Sequence, residues 1–193
     1  VTDILDGIQD AISRGLGPVK VNCVVRRGVN ESQIPKLVRQ FRGTGAIVRF
    51  IEFMDVGATN GWTPGQVVPT SEILDFLSKE FDLVPIMRDS PSDVATRWGH
   101  SDGSGEIGFI SSVSQPFCGD CVRARLSSNG NLFTCLFTSV GHDMSELIRG
   151  EEDVSKLTEA IKQVWTRRSD RYSEERSSSA YSLPRVEMSY IGG

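Results

Sequence analysis

The order of apolar and polar residues predicts alternating helices and strands in the first third of the chain. Apolar residues recur at helical spacing over residues 2–16, and the β-branched run from Lys20 to Val25 predicts a strand. A second amphipathic helix, between Asn30 and Gly43, precedes a second strand, Ile47–Met54. Helix, strand, helix and strand in this order are typical of βα units, whose strands form a parallel sheet.

After Asp55 the pattern changes to a glycine-rich segment followed by a helix and several short strands. The helix is predicted from about Thr70 to Phe81, and a longer amphipathic helix from Val154 to Arg168. Short strands are predicted at Leu83–Met87, Ile107–Ser111, Arg123–Ser127 and Asn131–Thr134. Ser128-Asn129-Gly130, between the last two strands, is a hairpin-turn signal. The charged, serine-rich stretch Arg167–Ser179 is predicted to be solvated.

These elements predict an α/β chain with two domains. Residues 1–57 are interpreted as the closing βα units of an incomplete, partial TIM-like barrel, and residues 58–193 as an α+β segment with an antiparallel hairpin. Too few βα units are present to close a barrel, and the chain begins with Val1, so we expect it to be cut from a longer protein. In such a barrel the functional groups gather at the carboxyl ends of the strands.

Composition and net charge narrow the classes of molecule that this chain could bind. Hydrophobic residues make up 38% of the chain and charged residues 24%, which is ordinary for a globular protein, and no apolar run is long enough to span a bilayer. The net charge of −4 argues against a general nucleic-acid surface, which carries a basic excess. We therefore expect neither a membrane nor a nucleic-acid partner, and any anion site must be built from a few placed Arg and Lys residues.

Three of the four cysteines form one motif, Cys118-x2-Cys121-x13-Cys135. Two thiolates in a tight turn and a third from the far end of the hairpin can hold one metal centre, whereas a disulfide would leave one thiol unpaired. A structural zinc site needs four ligands, and His142 is a candidate for the fourth. An iron–sulfur cluster on three thiolates would leave one iron open. Spacing alone leaves both metal centres open, and Cys23 is interpreted as a small buried residue on a strand.

Basic residues near this motif and on the first two strands suggest an anionic ligand. Arg123 and Arg125 are two apart on a predicted strand, so both would face one side, and paired guanidiniums beside a metal centre favour a bound phosphate. Lys20 and Arg49 lie within the first two strands, where a buried, unpaired cation is too costly to expect. The alternatives are a solvent-facing strand edge for the two later arginines and a salt bridge with Glu52 for Arg49.

Six segments also match a known family. They are Lys20-Val-Asn22, Val48-Arg-Phe-Ile-Glu-Phe-Met54, Asn60-Gly-Trp62, Phe117-Cys-Gly-Asp-Cys-Val-Arg-Ala-Arg-Leu-Ser127, Cys135-Leu-Phe137 and Tyr190-Ile-Gly-Gly193. Together they resemble the molybdenum cofactor biosynthesis protein A family, the GTP 3′,8-cyclases of the radical S-adenosylmethionine superfamily. The resemblance runs from about Asp3 to the last residue. It implies a reaction in which a 5′-deoxyadenosyl radical removes a hydrogen from the ribose of GTP and the sugar radical attacks C8 of guanine, giving 3′,8-cyclo-7,8-dihydro-GTP.

The resemblance implies cofactor ligands at four positions. Cys118, Cys121 and Cys135 match the ligands of a second [4Fe–4S] cluster, whose open iron binds the guanine of GTP. Met54 matches a contact to S-adenosylmethionine. The family's first [4Fe–4S] cluster is held by a Cys-x3-Cys-x2-Cys motif, which is absent from this sequence. We therefore expect this chain to supply the substrate-binding half of the site and to be inactive without the other half.

The resemblance further implies substrate-binding and catalytic residues. The positions that match GTP-binding residues are basic: Lys20, Arg49, Arg123 and Arg125. Arg49 is also a catalytic candidate, as are Gly192 and Gly193, which match a mobile tail that enters the active site. A homodimer, a cytoplasmic location in a bacterium and a downstream partner, cyclic pyranopterin monophosphate synthase, are implied too. The rival interpretations are a zinc-stabilised binding module without catalysis and another radical enzyme whose auxiliary cluster serves a peptide or other substrate.

Overall fold

The computed structural model, which describes residues 1–150, 154–176 and 186–191, is α/β, as predicted. Its helices are α1 (Thr2–Ser13), α2 (Ile34–Phe41), α3 (Thr70–Leu77), α4 (Ser145–Arg149), α5 (Val154–Thr166) and α6 (Tyr172–Glu175). Its strands are β1 (Lys20–Val25), β2 (Ile47–Glu52), β3 (Leu83–Ile86), β4 (Thr96–His100), β5 (Glu106–Ile110), β6 (Arg125–Leu126), β7 (Asn131–Phe133) and β8 (His142–Asp143). The chain divides into two units: unit 1 is Val1–Met54 with Trp62–Pro116, and unit 2 is Asp55–Gly61 with Phe117–Gly193.

Unit 1 contains a five-stranded mixed sheet in the order β1-β2-β5-β4-β3. β1, β2 and β5 run parallel, as the βα pattern predicts, whereas β4 and β3 continue the sheet in antiparallel fashion. The described strands form no closed barrel. β5 falls within the predicted second domain and nevertheless pairs with β2; the domain division after residue 57 stays a prediction.

The core of unit 1 lies on one face of this sheet. Strand residues alternate between two faces, so Val48 and Phe50 of β2 point to the same side, where Phe50 stacks on Phe109 of β5 with ring centroids 5.9 Å apart. α2 and α3 add the buried residues Ile34, Val38, Phe41, Ile73 and Leu77. Burying these side chains contributes about 1.5–3 kcal/mol each. The opposite face of β1 and β2 carries Asn22 and Arg49.

Glu52, at the carboxyl end of β2, is a buried carboxylate that joins three segments of unit 1. It is 1% exposed and accepts hydrogen bonds from the backbone N–H of Thr70 at 2.9 Å and from the backbone N–H groups of Val113 and Ser114 at 2.8 Å each. Such bonds offset the cost of burying a charge. Glu52 thus ties the end of β2 to the start of α3 and to the loop after β5.

Unit 2 contains a small antiparallel sheet in the order β6-β7-β8. The predicted hairpin between β6 and β7 is confirmed, with the Ser127 N–H donating to the Asn131 carbonyl at 3.0 Å. Gly130 closes its turn at φ +91°, and a Cβ there would lie 2.9 Å from the Ser145 Cα. Only glycine meets both conditions without strain.

Several predicted boundaries differ from the structure. β2 ends at Glu52 rather than Met54, because the next carbonyl, of Phe53, accepts the indole N–H of Trp62 at 2.7 Å. The strand predicted over Arg123–Ser127 is only Arg125–Leu126. Elements missing from the prediction are β4, β8, α4 and α6. None of the helices in the described ranges combines the length and apolar character needed to cross a membrane.

Candidate functional site

The three motif cysteines of unit 2 lie on a short turn and on the hairpin that follows it. Cys118 begins a 3₁₀ turn, Cys118–Asp120, and the N–H of Cys121 donates to the Cys118 carbonyl at 3.3 Å. Cys135 lies two residues beyond the end of β7. All three are free thiols of intermediate exposure. The hairpin β6–β7 therefore carries the chain from the first two cysteines to the third.

Polar side chains from α6 and the segment before it support this turn. Glu174 of α6 accepts a hydrogen bond from the Arg171 guanidinium, which lowers the pKa of the Glu174 carboxyl, and the backbone N–H groups of Cys118 and Gly119 lower it to a smaller extent. Arg168 donates to the Cys121 carbonyl. These contacts hold the backbone of the cysteine turn from outside the motif.

Arg123 precedes the first residue of β6, and its side chain points back toward the cysteine turn. Its guanidinium donates to the Cys121 Sγ from two nitrogens, at 3.1 and 3.3 Å, and lies 5.0 Å from the ring centroid of Phe117. Burial raises the pKa of the Cys121 thiol, but the hydrogen bonds and charge of Arg123 outweigh it, so the net pKa is lowered. A cation thus favours the thiolate, which is the metal-binding form of cysteine.

Arg125, on β6, interacts electrostatically with Cys121 and Cys135. Burial lowers the pKa of its guanidinium, and the charge of Arg123 lowers it further, while Cys121 and Cys135 act in the opposite direction. Burial raises the pKa of Cys135, and the charge of Cys118 adds to that rise. Arg123 thus contacts Cys121 directly, and Arg125 interacts with Cys121 and Cys135 through charge; a single site formed by the three thiols and both arginines stays a prediction.

The donor chemistry of this neighbourhood can be compared with the two predicted metal centres. Across the described ranges, no group of three or more His, Cys, Asp or Glu residues lies close enough to hold a single metal ion. Around one zinc ion with Zn–S bonds of about 2.3 Å, thiolates would lie about 3.8 Å apart. His142, the candidate fourth ligand, lies on β8 opposite Leu132. An iron–sulfur cluster is wider than one ion and takes Cys thiolates, so the three thiols fit it by donor type.

Arg49, in unit 1, contacts Asn22 on the neighbouring strand of its sheet and not Glu52. Its Nε donates to the Asn22 Oδ1 at 2.8 Å, and these two residues are register partners on β1 and β2. Glu52 points to the opposite, buried face, so the salt bridge considered as an alternative does not form. Lys20 lies exposed at the start of β1, on the same face as Asn22.

Gly108 is a neighbour of Arg49 that the sequence patterns did not single out. It is the register partner of Arg49 on β5, and a Cβ there would lie 2.9 Å from the Arg49 Cγ. The missing side chain lets Arg49 extend over β5. A glycine inside a strand pattern is the local signal for such a close approach.

The remaining candidates lie after β2 and at the chain's last residues. Met54 is half-buried, two residues beyond the end of β2. Gly192 and Gly193 lie outside the described residues. Just before them, Met188–Tyr190 is a 3₁₀ turn. The stretch predicted to be solvated contains the side chains Arg168, Arg171 and Glu174. Their contacts were not predicted, because charge alone does not reveal a partner that is distant in sequence.

Comparison with known proteins shows which family this chain is similar to. A family model described as Molybdenum Cofactor Synthesis C matches residues 46–174. A protein of Xanthomonas axonopodis pv. citri named GTP 3′,8-cyclase is 48% identical over 193 residues, covering 100% of this chain and 57% of the relative. Relatives of the same name from Acidothermus cellulolyticus and a Synechococcus species are each 44% identical, covering 99% and 98% of this chain. The chain spans 60% and 56% of their lengths, respectively.

Proposed function

The chain belongs to the Molybdenum Cofactor Synthesis C family, and from that premise we propose that it is the substrate-binding portion of a radical GTP 3′,8-cyclase. The observation that carries the proposal is that the Arg123 guanidinium donates to the Sγ of Cys121, within the three-cysteine motif of unit 2. Thiolates suit an iron–sulfur cluster, and guanidiniums suit the phosphates of a nucleotide. Relatives named GTP 3′,8-cyclase at 48% identity support the same assignment.

In this proposal Cys118, Cys121 and Cys135 hold a [4Fe–4S] cluster with one open iron. The cluster would supply that open position for the guanine of GTP. Arg123, which favours the Cys121 thiolate, and Arg125 bind the triphosphate through charge-assisted hydrogen bonds, worth about 1.5–3 kcal/mol each.

The proposal extends to the other candidate residues. Lys20 and Arg49 bind GTP as well, with Arg49 held by Asn22 and given room by Gly108. Met54 contacts S-adenosylmethionine, and Gly192 and Gly193 form the catalytic tail. A first [4Fe–4S] cluster comes from residues outside this chain.

At the level of architecture, we propose that α1, β1, α2 and β2 are closing units of an incomplete barrel, supported by the parallel pairing of β1 and β2. We also propose a cytoplasmic homodimer whose product passes to cyclic pyranopterin monophosphate synthase.

Metal analysis of the anaerobically reconstituted chain tests the cluster. We expect about four iron and four sulfide per chain, lost in each of Cys118→Ser, Cys121→Ser and Cys135→Ser. Cys23→Ser is the matched control, because Cys23 lies on β1 in unit 1, and it should retain the cluster. Stoichiometric zinc without iron, or loss of the metal in His142→Ala, would instead support a zinc-stabilised binding module.

GTP binding to the cluster-loaded chain tests the two arginines. Arg123→Ala and Arg125→Ala should each raise the Kd roughly ten-fold, with iron content retained because neither residue is a ligand. Arg149→Ala, at the end of α4, removes an exposed arginine and should leave the Kd unchanged. An unchanged Kd in the Arg123/Arg125 double variant would refute the phosphate assignment.

A further inference from the structure

We propose that Arg168 is a positioning residue that holds Cys121 and Cys135 of unit 2 in a fixed arrangement relative to each other. Its guanidinium contacts the cysteine turn directly, and through Asp170 it is connected to the residue that precedes Cys135. This inference rests on the proposed function, in which the three motif cysteines hold one cluster. It deepens that proposal by naming the side chains that set the placement of the ligands.

The guanidinium of Arg168 donates hydrogen bonds in two directions. Its Nη1 donates to the Cys121 carbonyl, and its Nε donates to the Asp170 Oδ2 at 3.3 Å. The Arg168 side chain is only 11% exposed, and its Cζ lies 4.9 Å from the ring centroid of Trp165 on α5. A planar group whose donors are fixed in a fork is suited to join two acceptors, whereas a lysine ammonium lacks this fixed geometry.

Asp170 carries the contact on to the segment of the third cysteine. The Thr134 hydroxyl donates to the same Asp170 Oδ2 at 2.6 Å, and Thr134 is buried. Thr134 directly follows β7 and directly precedes Cys135. Because Arg168 and Thr134 donate to one carboxylate oxygen, a shift of either donor affects the bond made by the other. We call Arg168, Asp170 and Thr134 the ligand bridge.

Backbone pairing does not extend to these cysteines. The ladder between β6 and β7 pairs Arg125 with Phe133 and Leu126 with Leu132. Cys121 lies before the first paired residue of β6, and Cys135 lies beyond the last paired residue of β7. The ladder therefore fixes the hairpin, and the ligand bridge joins the two ends that project from it.

Hydrogen exchange of the metal-free, full-length 193-residue chain tests whether the bridge joins these two segments. Arg168→Ala should speed exchange about ten-fold in peptides covering residues 117–122 and also in peptides covering residues 132–136, because charge-assisted hydrogen bonds on both sides are lost. Arg167→Ala is the matched control, since it removes the neighbouring, exposed arginine, and it should leave both segments unchanged.

Variants of Thr134 test the far end of the bridge. Thr134→Val removes the hydroxyl that donates to Asp170, and it should speed exchange in both segments, though less than Arg168→Ala does. Thr134→Ser keeps a hydroxyl and should restore exchange close to the wild-type rate. Peptides covering α4 should exchange at the wild-type rate in every variant.

Iron release from the reconstituted chain to a chelator tests the consequence for the cluster. Arg168→Ala should speed release about ten-fold, as is typical when a residue that orients a metal ligand is lost. Arg168→Lys keeps the charge without the fork, so its release rate should lie between those of the wild type and Arg168→Ala. The Arg168→Ala/Thr134→Val double variant should release iron no faster than Arg168→Ala, because both changes act through one oxygen of Asp170.

Three results would overturn the inference. They are faster exchange confined to residues 117–122, additive effects of the two changes in the double variant, and faster exchange throughout unit 2, which would show that Arg168 supports only the fold. If the wild-type chain takes up no iron–sulfur cluster, the proposed function fails instead. The exchange measurements need no cluster, so they still decide whether the ligand bridge joins the two segments.

Discussion

The two units of this chain are stabilised by different kinds of contact. In unit 1 the sheet and its helices enclose one cluster of buried apolar residues, to which every strand but β3 and β4 contributes a residue less than 9% exposed. In unit 2 distant segments are joined mainly by polar side chains. Glu187 reaches Ala58, Arg168 reaches the Cys121 carbonyl, and Arg176 reaches Asp55.

The difference matches what each unit is proposed to hold. An apolar core gains free energy from burial itself and keeps strand residues such as Arg49 in register. A cluster-binding unit gains part of its stability from its metal, because ligation free energy adds to folding free energy. In unit 2 a polar contact, from Arg168 to the Cys121 carbonyl, holds the backbone of the cysteine turn. Four predictions test this comparison, from the largest expected effect to the smallest.

The largest effect should follow from opening the core of unit 1. Phe50 is 1% exposed and packs on Phe109, so Phe50→Ala removes buried ring contacts and leaves a cavity. We expect a loss of about 4 kcal/mol in the free energy of unfolding of unit 1. Hydrogen exchange resolved by peptide measures the loss, with Phe76→Ala, at a ring 42% exposed, as the control. An equal loss in unit 2 peptides would show that the two units do not differ as described.

In unit 2 the largest effect should come from a buried ion pair. The side chains of Arg176 and Asp55 are 9% and 1% exposed, so Arg176→Leu leaves a buried carboxylate without its guanidinium. We expect a loss of about 3 kcal/mol. Arg171→Leu provides the contrast, because the Arg171 side chain is 58% exposed and its pair with Glu174 is screened by solvent, so its loss should change stability little. Urea denaturation of both variants measures the difference, and similar midpoints would contradict it.

The sequence predicted unit 1 better than unit 2 for a related reason. Apolar periodicity is a local signal, and it located α1, β1, α2, β2 and β5 because their apolar faces form the core. β4, Thr96–His100, has a polar first half and a glycine, so its strand is determined by its partners β3 and β5. α6 lies in a charged stretch, and Arg176, which directly follows it, pairs with Asp55, 121 residues away in sequence.

The residues of the candidate site likewise divide into those that the sequence pointed to and those that it did not. Cysteine spacing predicted the three thiols of the site and the Arg-x-Arg pattern two cations beside them, and of these cations Arg123 contacts Cys121. The patterns placed both arginines on one strand, but Arg123 lies outside β6 and turns back to Cys121, because a thiol near a guanidinium offers it a hydrogen bond. No local signal pointed to Glu187, whose partners lie in another segment.

A third prediction concerns Glu52, a buried polar residue among the apolar residues of unit 1. Glu52 accepts backbone N–H groups from Thr70, Val113 and Ser114, and Glu52→Gln would turn an amide N–H₂ toward some of these donors. We expect a loss of about 2 kcal/mol in the stability of unit 1. Glu72→Gln, at an ion pair that is half exposed, should cost less than about 1 kcal/mol. Equal denaturation midpoints for the two variants would show that Glu52 is dispensable.

The smallest expected effect is a dependence of the stability of unit 1 on pH, caused by His100. This residue is 5% exposed, its ring meets Phe81 edge-on, and its Nδ1 has no hydrogen-bond partner in the part of the chain that the structure describes. Burial lowers the pKa of His100, the charge of Arg42 lowers it further, and Asp102 opposes both. Because the folded state disfavours the protonated ring, this contribution to stability is complete above the usual histidine pKa of about 6.5 and is lost as pH falls below it.

Denaturation midpoints at about pH 7.5 and about pH 5.5, on either side of that usual pKa, isolate this contribution. His100→Phe keeps an aromatic ring against Phe81 but cannot be protonated, so its midpoint should fall less between the two pH values than the wild-type midpoint. His142→Gln removes the other histidine, which is exposed on β8 of unit 2, and should leave the wild-type dependence intact. If His142→Gln abolished the dependence and His100→Phe did not, the pH-sensitive contact would lie in unit 2, and the apolar unit would be the less sensitive of the two.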